Sequence, residues 1–527
     1  MSIKTDREHY VRVEQYVRRV QSLYYSVAKY CAQTATMYKP KGDIFYFKDI
    51  PTLNRQVDRM FVEMSKSFET TILSGITGEW DRANVNNDDL VMRMRKKVPN
   101  LPMDIFQDRN LKALEAFQQR KVGGLNLSER VWKYTSQFKN EIEQSLDIGM
   151  AQGRSASEIS LDIMKYLQNP DSLMEKLITK NGIVHVMNEN TNLHPGRGVY
   201  RSSYKNAMRL TRTEVNSAYR RSDYERWQQL DFVVGIEIRR SNREYACEVC
   251  ESLKGKYPKD FKFYGWHPHC RCHVLSILAT EKEFMEGLEN QEETKSKNEV
   301  EKVPENFNSW MDKNNSRIQR SKNQPYFIKD NKGKITIPPK NLEELMSRAS
   351  KSSGEVMKMA NELAAKYNGC AVPINLKGKE RIMEKVRGEL KGEITGIKDA
   401  VRTTIILPPN DLENIIRDSE KMSTFIRIKV QTPDKFSGYS GFLTNIRTKN
   451  GIQGEIQFNT AKMIYAKEKP KDAKFLLGVE KWNAIKKETG MPGGLGHKYY
   501  EQMRVAKDAS LYKALEKKSI NYYKHFR

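Results

Sequence analysis

Cysteine is scarce in this chain, with six residues in 527, and histidine is nearly as rare at eight. So few cysteines in so long a chain exclude a disulfide framework, and in a reducing compartment they make any cluster of cysteines a metal site first. No run approaches the roughly 18 apolar residues that a spanning helix needs, so no membrane partner is expected. The opening stretch, MSIKTDREHYVRVEQ, is charged and lacks the apolar core of a signal peptide, which predicts synthesis and folding in the cytosol. Internal repeats are absent. Charge, by contrast, is plentiful. Charged residues make up 30% of the chain, hydrophobic residues 38%, and the formal net charge is +25. That excess suits a polyanion partner, DNA foremost, or else a solvated basic surface. The length is enough for about three domains.

The first 200 or so residues read mostly as helix. Val13, Val17, Val20, Leu23 and Val27 recur at helical spacing, and Ser155 with Glu158 forms a capping-box pattern before ISLDIMKYL. A turn-rich stretch, NENTNLHPGRGVY, separates this region from AMRLTRTEVNSAYRRSDYERW, which is again helical in pattern. FVVGIEIRRS then reads as a strand. Glu286 to Val303 has no aromatic residue and about half its residues are charged, which predicts a linker. From about Asn341 the pattern becomes α+β. A helix over 341–369 ends at Asn368 and Gly369, RTTIIL and FIRIKV read as strands, and FLTNIRTKNGIQGEIQF reads as a hairpin turning at Asn450 and Gly451.

Four of the six cysteines and three of the eight histidines fall in the 27 residues from Cys247 to His273. Zinc takes four soft or borderline ligands in a tetrahedron. Cys247 and Cys250 have the two-residue gap with which one turn presents two thiolates, and His267, Cys270 and Cys272 supply the other half. His269 and His273 are read as bystanders, and one of Cys270 and Cys272 is surplus to four ligands. With no open position or adjacent acid evident, the site is expected to be structural zinc. A zinc-containing nucleic-acid-binding protein is the rival reading, although the spacing is not that of a classical finger.

The order RLTRTEVN (209–216), CxxC, GxxYP and HPxCRC (267–272) resembles the phage Mu F-like minor head protein family over roughly residues 110–280. The resemblance implies a head-morphogenesis protein found in the virion, in the head interior or at the portal vertex, with portal protein, major capsid protein and packaged DNA as partners. The family's arginine and glutamate fall on Arg212 and Glu214. On a helix these face different ways and need not pair with each other, and Glu214 is expected in a buried ion pair rather than in a catalytic role.

The C-terminal third carries different chemistry. Lys377, Arg381 and Lys385 form a cationic strip suited to nucleotide phosphates. Asp399 and Arg402 open an apolar strand. In GEIQFN, alternation puts Glu455 and Gln457 on one face and Ile456 and Phe458 on the other. His497, Glu501 and Arg504 share one helical face. Together with the tyrosine of SGYSGF, these landmarks resemble a RelA/SpoT-type alarmone synthetase domain over about residues 345–510. The resemblance implies pyrophosphate transfer from ATP to a 3′-hydroxyl of a guanosine nucleotide, or of tRNA in toxin relatives. Asp399 would hold Mg2+, and Glu455 would serve Mg2+ or act as general base. Lys377, Arg381 and Lys385 would bind ATP phosphates, with Arg402, Gln457 and His497 as further substrate contacts, and Tyr439 would stack on the acceptor base. The alternative is an inactive domain kept for docking.

The expectation is a multidomain chain. A helical region spans 1–110 and a mostly α Mu F-like domain with a small zinc-stapled α+β core spans 111–280. A linker and semi-ordered connector spans 281–340, and an α+β nucleotidyltransferase-like domain spans 341–527.

Overall fold

The computed structural model describes all residues except 1–2, 39–44, 99–100, 102–107, 170–199, 201, 242–246, 322–323, 423, 432 and 507. The turn-rich stretch at 188–200 therefore lies, but for Tyr200, outside the described residues. The chain divides into two compact units. The first is residues 1–304 with 323–334, and the second is 305–322 with 335–527.

The first unit is built on long helices: α1 (Ile3–Ala35), α2 (Pro51–Arg95), α3 (Leu111–Gln119), α4 (Leu127–Ala151), α5 (Ala156–Gln168) and α6 (Ser203–Gln228). The apolar stripe read from α1 is its inner face, with Val13, Val17, Val20 and Val27 buried. On α2, Leu53, Val57, Phe61, Met64, Phe68, Ile72, Ile76 and Trp80 recur every three to four residues and share a core with Phe138 and Ile142 of α4 and Ile163 of α5. Each such side chain contributes about 2 kcal/mol by leaving water. The predicted capping box is present, with Ser155 and Glu158 satisfying each other's backbone N–H at the start of α5. Because α2 and α6 pack on each other across position 110, the expected division at 110/111 is not where the chain separates.

After α6 come β1 (Val233–Arg239), α7 (Glu248–Ser252), β2 (Gly255–Tyr257), β3 (His273–Leu278) and α8 (Glu281–Asn290). The three strands form an antiparallel sheet in the order β2-β1-β3. The charged stretch at 286–303, read as a linker, begins inside α8 and then runs against β1. Val300 N donates to Val234 O at 3.2 Å, and a Cβ on Gly235 would stand 2.8 Å from Val300 Cγ2. One valine side chain over one glycine supplies the contact that the composition of this stretch does not advertise.

The second unit takes α9 (Glu305–Arg320) and the chain from Ile335 onward, while α10 (Tyr326–Lys329), between them, belongs to the first unit. The expected connector at 281–340 is thus shared between the two units. The helix expected over 341–369 is two helices, α11 (Leu342–Lys351) and α12 (Ser353–Lys366), with Ser352 between them. β4 (Cys370–Ala371), β5 (Asn375–Leu376), α13 (Lys379–Gly388), β6 (Val401–Ile406), α14 (Pro409–Ser419), β7 (Phe425–Gln431), β8 (Gly441–Arg447) and β9 (Gln453–Asn459) follow. The sheet order is β4-β6-β9-β8-β7, with β5 also on β6, and β6 and β9 run parallel. The predicted hairpin is β8–β9, closed at Gly451 with φ of 77°. One face of the sheet (Val401, Ile405, Ile456, Phe458, Phe442 and Ile446) packs on Val356, Ala360 and Ala364 of α12. Helices α15 (Ala461–Lys467), α16 (Pro470–Leu477), α17 (Val479–Thr489), α18 (Leu495–Val505) and α19 (Ala509–Lys524) complete the unit. No described helix is long and apolar enough to cross a membrane.

Candidate active site and metal centre

The face of the second sheet turned away from α12 carries the polar residues. Residues paired across adjacent strands project to the same side. The register therefore lays out one lateral row, Asn375 on β5, Arg402 on β6, Glu455 on β9, Asn445 on β8 and Arg427 on β7. The alternation read from GEIQFN holds. Ile456 and Phe458 are in the core, and Gln457 Nε2 donates to Glu455 Oε1 at 2.6 Å. The same face continues to Asn459, which accepts from the Tyr439 hydroxyl at 2.5 Å. Lys467, in the last turn of α15, donates to Gln457 Oε1 at 3.3 Å and stands over the Tyr439 ring, 5.5 Å from its centroid. Burial works against the charge of Lys467, but Tyr439 and Glu468 hold its ammonium pKa above the usual value. Arg402 is near enough to oppose it.

Asp399, two residues before β6, is buried. Lys377 Nζ lies 2.5 Å from its Oδ2 and Lys385 Nζ lies 3.2 Å from its Oδ1. Burial alone would raise this carboxyl, yet Lys377 and Lys385 keep it below its ordinary value. Lys385 and Arg381 both lie on α13, but only Lys385 reaches Asp399, while Arg381 stays exposed. His497, Glu501 and Arg504 share a face of α18 as expected. His497 makes its ionic contact with Glu501, at 4.0 Å on its own helix, rather than with the Asp399 or Glu455 groups. The site thus consists of Glu455 on the polar sheet face, with Arg402 beside it in register and Lys467 on Gln457, and of Asp399 just ahead of β6, held by Lys377 and Lys385. That is the equipment of phosphoryl-type transfer, in which positioning and cations outweigh covalent help. Asn459 was readable as the next member of the Glu455–Gln457 alternation. Lys467 carries no local signal.

Tyr439 is held from three sides. Tyr523 of α19 meets it edge to face with centroids 5.7 Å apart, its hydroxyl is on Asn459, and its ring lies where a Cβ on Gly441 would stand 2.4 Å from the hydroxyl oxygen.

In the first unit the cysteine cluster converges. Cys247 Sγ and Cys250 Sγ each lie 3.1 Å from His267 Nε2, and Cys250 Sγ lies 3.8 Å from Cys270 Sγ. Two sets meet metal-site spacing among the described residues. They are Cys247, Cys250 and His267, and Cys250, Cys270 and Cys272, so Cys250 belongs to both. A tetrahedral zinc with Zn–S near 2.3 Å places thiolates about 3.8 Å apart, the Cys250–Cys270 separation. His267 Nδ1 faces the Pro268 carbonyl at 2.7 Å, which turns the Nε2 lone pair toward the thiols. Hydrogen bonding to Cys270 and Cys272, aided by burial, pushes the Cys250 thiol up. Burial opposes ionisation of Cys270, but its neighbours hold it well below the usual thiol range. Thiols this close cannot all ionise without a cation among them, and the donor set fits zinc.

Neither bystander histidine belongs to either ligand set, and His273 Nδ1 faces Asp6 at 3.2 Å. The RTE helix, α6, packs directly on this loop. Arg220 pairs with both oxygens of Asp6 at 2.9 Å and also donates to the Cys272 carbonyl at 3.2 Å. Arg212 and Glu214 do not pair with each other. Arg212 binds Glu14, and Glu214 accepts from Arg120 at 2.8 Å and Arg130 at 2.7 Å, the buried ion pair expected of it.

A stretch of 182 residues, 34% of the chain, is 37% identical to the (p)ppApp synthetase toxin Tas1 of Pseudomonas aeruginosa (strain UCBPP-PA14) and spans 41% of that protein, less than half its length. Among solved structures, the complex between the Type VI effector Tas1 and its immunity protein is similar at 37% identity. The match covers 36% of this chain and 97% of that one, with a TM-score of 0.33. No family model matches the sequence. About a third of the chain therefore resembles a (p)ppApp synthetase toxin, while these comparisons give no support to the head-protein resemblance of roughly residues 110–280.

Proposed function

We propose that the second unit transfers pyrophosphate from ATP to the 3′-hydroxyl of a nucleotide. The observation that carries this is the row in which Glu455 stands between Arg402 and Asn445 on an open sheet face, with the Asp399–Lys377–Lys385 group at the adjoining strand end. Lys377, Lys385 and Arg381 receive the triphosphate. Glu455 takes the proton of the acceptor hydroxyl, whose oxygen bonds to the β-phosphorus as the α,β-bridging oxygen leaves with AMP. Tyr439, with Lys467 over its ring, supports the acceptor base. Asp399 and Glu455 are the acids that would hold Mg2+, which when bound neutralises phosphate charge. The name of the Tas1 relative favours an adenosine nucleotide over the guanosine nucleotide or tRNA expected from sequence. The full chain with ATP, Mg2+ and each of AMP, ADP, GDP and tRNA is expected to release AMP in step with a pyrophosphorylated adenosine nucleotide. Glu455→Gln is expected to lose about 10²–10⁴-fold in rate. Absence of transfer to every acceptor would leave the docking role.

For the first unit we propose a metal-stapled structural body of the minor-head type. What favours it is that the two motif blocks of that resemblance, the RTE helix and the Cys/His loop, pack on each other through Arg220 and the Cys272 carbonyl. Low-copy recovery of the chain in purified phage heads, by mass spectrometry, is the expected result. Its absence from such particles would defeat the reading.

A further inference from the structure

Helix α9 precedes the stretch that carries the synthetase motifs, yet it packs on the open face of their sheet. Arg447 and Gln453 are register partners, two pairs along from Asn445 and Glu455 and so on the same face. Asp312 of α9 accepts from Arg447 Nη1 at 2.9 Å and from Gln453 Nε2 at 3.5 Å, and Glu305 takes the other edge of the guanidinium at 3.2 and 2.5 Å. The charge of Asp312 also faces Lys398, whose carbonyl accepts from Asn445 Nδ2 at 3.0 Å and whose chain neighbour is Asp399. The helix is pinned along its length. Thr395 Oγ1 donates to the Asp312 carbonyl at 2.8 Å, Asn315 Nδ2 donates to the Pro339 carbonyl at 3.1 Å, and Ser316 bonds Glu393. Side chains of Asp312 and Arg447 are each only 14% exposed, so this is not a screened surface pair.

Arg447 lies diagonal to Glu455 across β8 and β9, a separation that a long side chain spans. Two acids on α9 are what hold that guanidinium away from the base.

We propose that α9 is a wall of the active site and that Asp312 is a positioning residue. Through Arg447 and Gln453 it fixes the surroundings of Glu455, and through Lys398 those of Asp399. The proposal rests on the pyrophosphoryl-transfer reading above. Without Asp312, Arg447 turns toward Glu455 and occupies the carboxylate that must accept the hydroxyl proton.

The test uses the full chain. Asp312→Asn is expected to lower kcat at least about tenfold with KM for ATP changed less than about twofold. Asp312→Glu restores most of the loss. Arg447→Met added to Asp312→Asn recovers part of it, because the competing cation is gone, whereas a merely structural defect would deepen. Wild-type kcat in Asp312→Asn, or a further fall on adding Arg447→Met, overturns the proposal. An inactive wild-type chain would sink the functional reading instead. In that case amide exchange over 445–457 decides for α9, with faster exchange in Asp312→Asn than in Asp312→Glu expected and equal exchange overturning it.

Discussion

Lys377 Nζ lies 2.5 Å from Asp399 Oδ2, closer than Lys385 on the other carboxylate oxygen. The acid that would serve a metal and the cation that would serve a phosphate are thus held by each other, and a triphosphate that draws the ammonium away also uncovers the carboxylate.

The two partners should therefore fail differently. Lys377→Met is expected to raise KM for ATP by more than about tenfold, while Asp399→Asn lowers kcat with KM nearly kept. Steady-state kinetics at saturating acceptor separate the two. Identical defects in both parameters would contradict the division of labour.

Cys250 is the thiol common to both ligand sets, so its loss should cost most. About one zinc per chain is expected in the native protein by elemental analysis. Cys250→Ser should abolish it and lower Tm more than Cys272→Ser does, and chelation of the wild type should reproduce that drop. A Tm for Cys250→Ser and for chelated protein equal to that of the untreated wild type would remove the staple.

Glu141 on α4 supplies a pH signature. Burial pushes its carboxyl up to about 7, against hydrogen bonds from Ser203 and Gln137. The folded state therefore holds a proton that the unfolded state releases near pH 4.3, so stability falls as pH rises from there to about 7, by at most about 4 kcal/mol. Glu141→Gln should flatten the slope of Tm against pH in that window. An unchanged slope would show that Glu141 is not its source.

The loop that presents Tyr439 is held by α19 and the residues after it, with Ser519 Oγ donating to the Ser437 carbonyl at 2.7 Å and Arg527 to the Gly438 carbonyl at 2.5 Å. Ser519→Ala is expected to raise KM for the acceptor about fivefold, equivalent to about 1 kcal/mol, with KM for ATP unchanged. A rise in both would place the effect elsewhere.

What was legible in the sequence was periodic or counted. Alternation in GEIQFN placed Glu455 on the polar face, helical spacing found the inner face of α1, and the scarcity of cysteine elsewhere made the 247–272 cluster visible. What was not legible depends on distant partners. The break at Ser352 follows no glycine or proline. The Ser352 hydroxyl there bonds Thr448 and Asn450 of the hairpin turn. Lys467 and α9 reach the site only through tertiary packing. The charge of +25 was likewise ambiguous, since Arg130, Arg220 and Arg226 are buried against Glu214, Asp6 and Asp88 and present nothing to a polyanion.

The backbone passes from one unit to the other three times, near 304, 322 and 335. A domain hung on one thread is cast off by a single protease nick. Here a nick in 291–304 would leave residues 323–334 lodged in the first unit, where Tyr326 stacks on Tyr264 and the Asn331 side chain bonds both backbone groups of Lys262. A second nick, beyond 334, would part α9 from the sheet it flanks. Simple clipping is therefore an unsuitable way to set the second unit loose, and release with α9 in place requires pulling the 323–334 segment from the first unit.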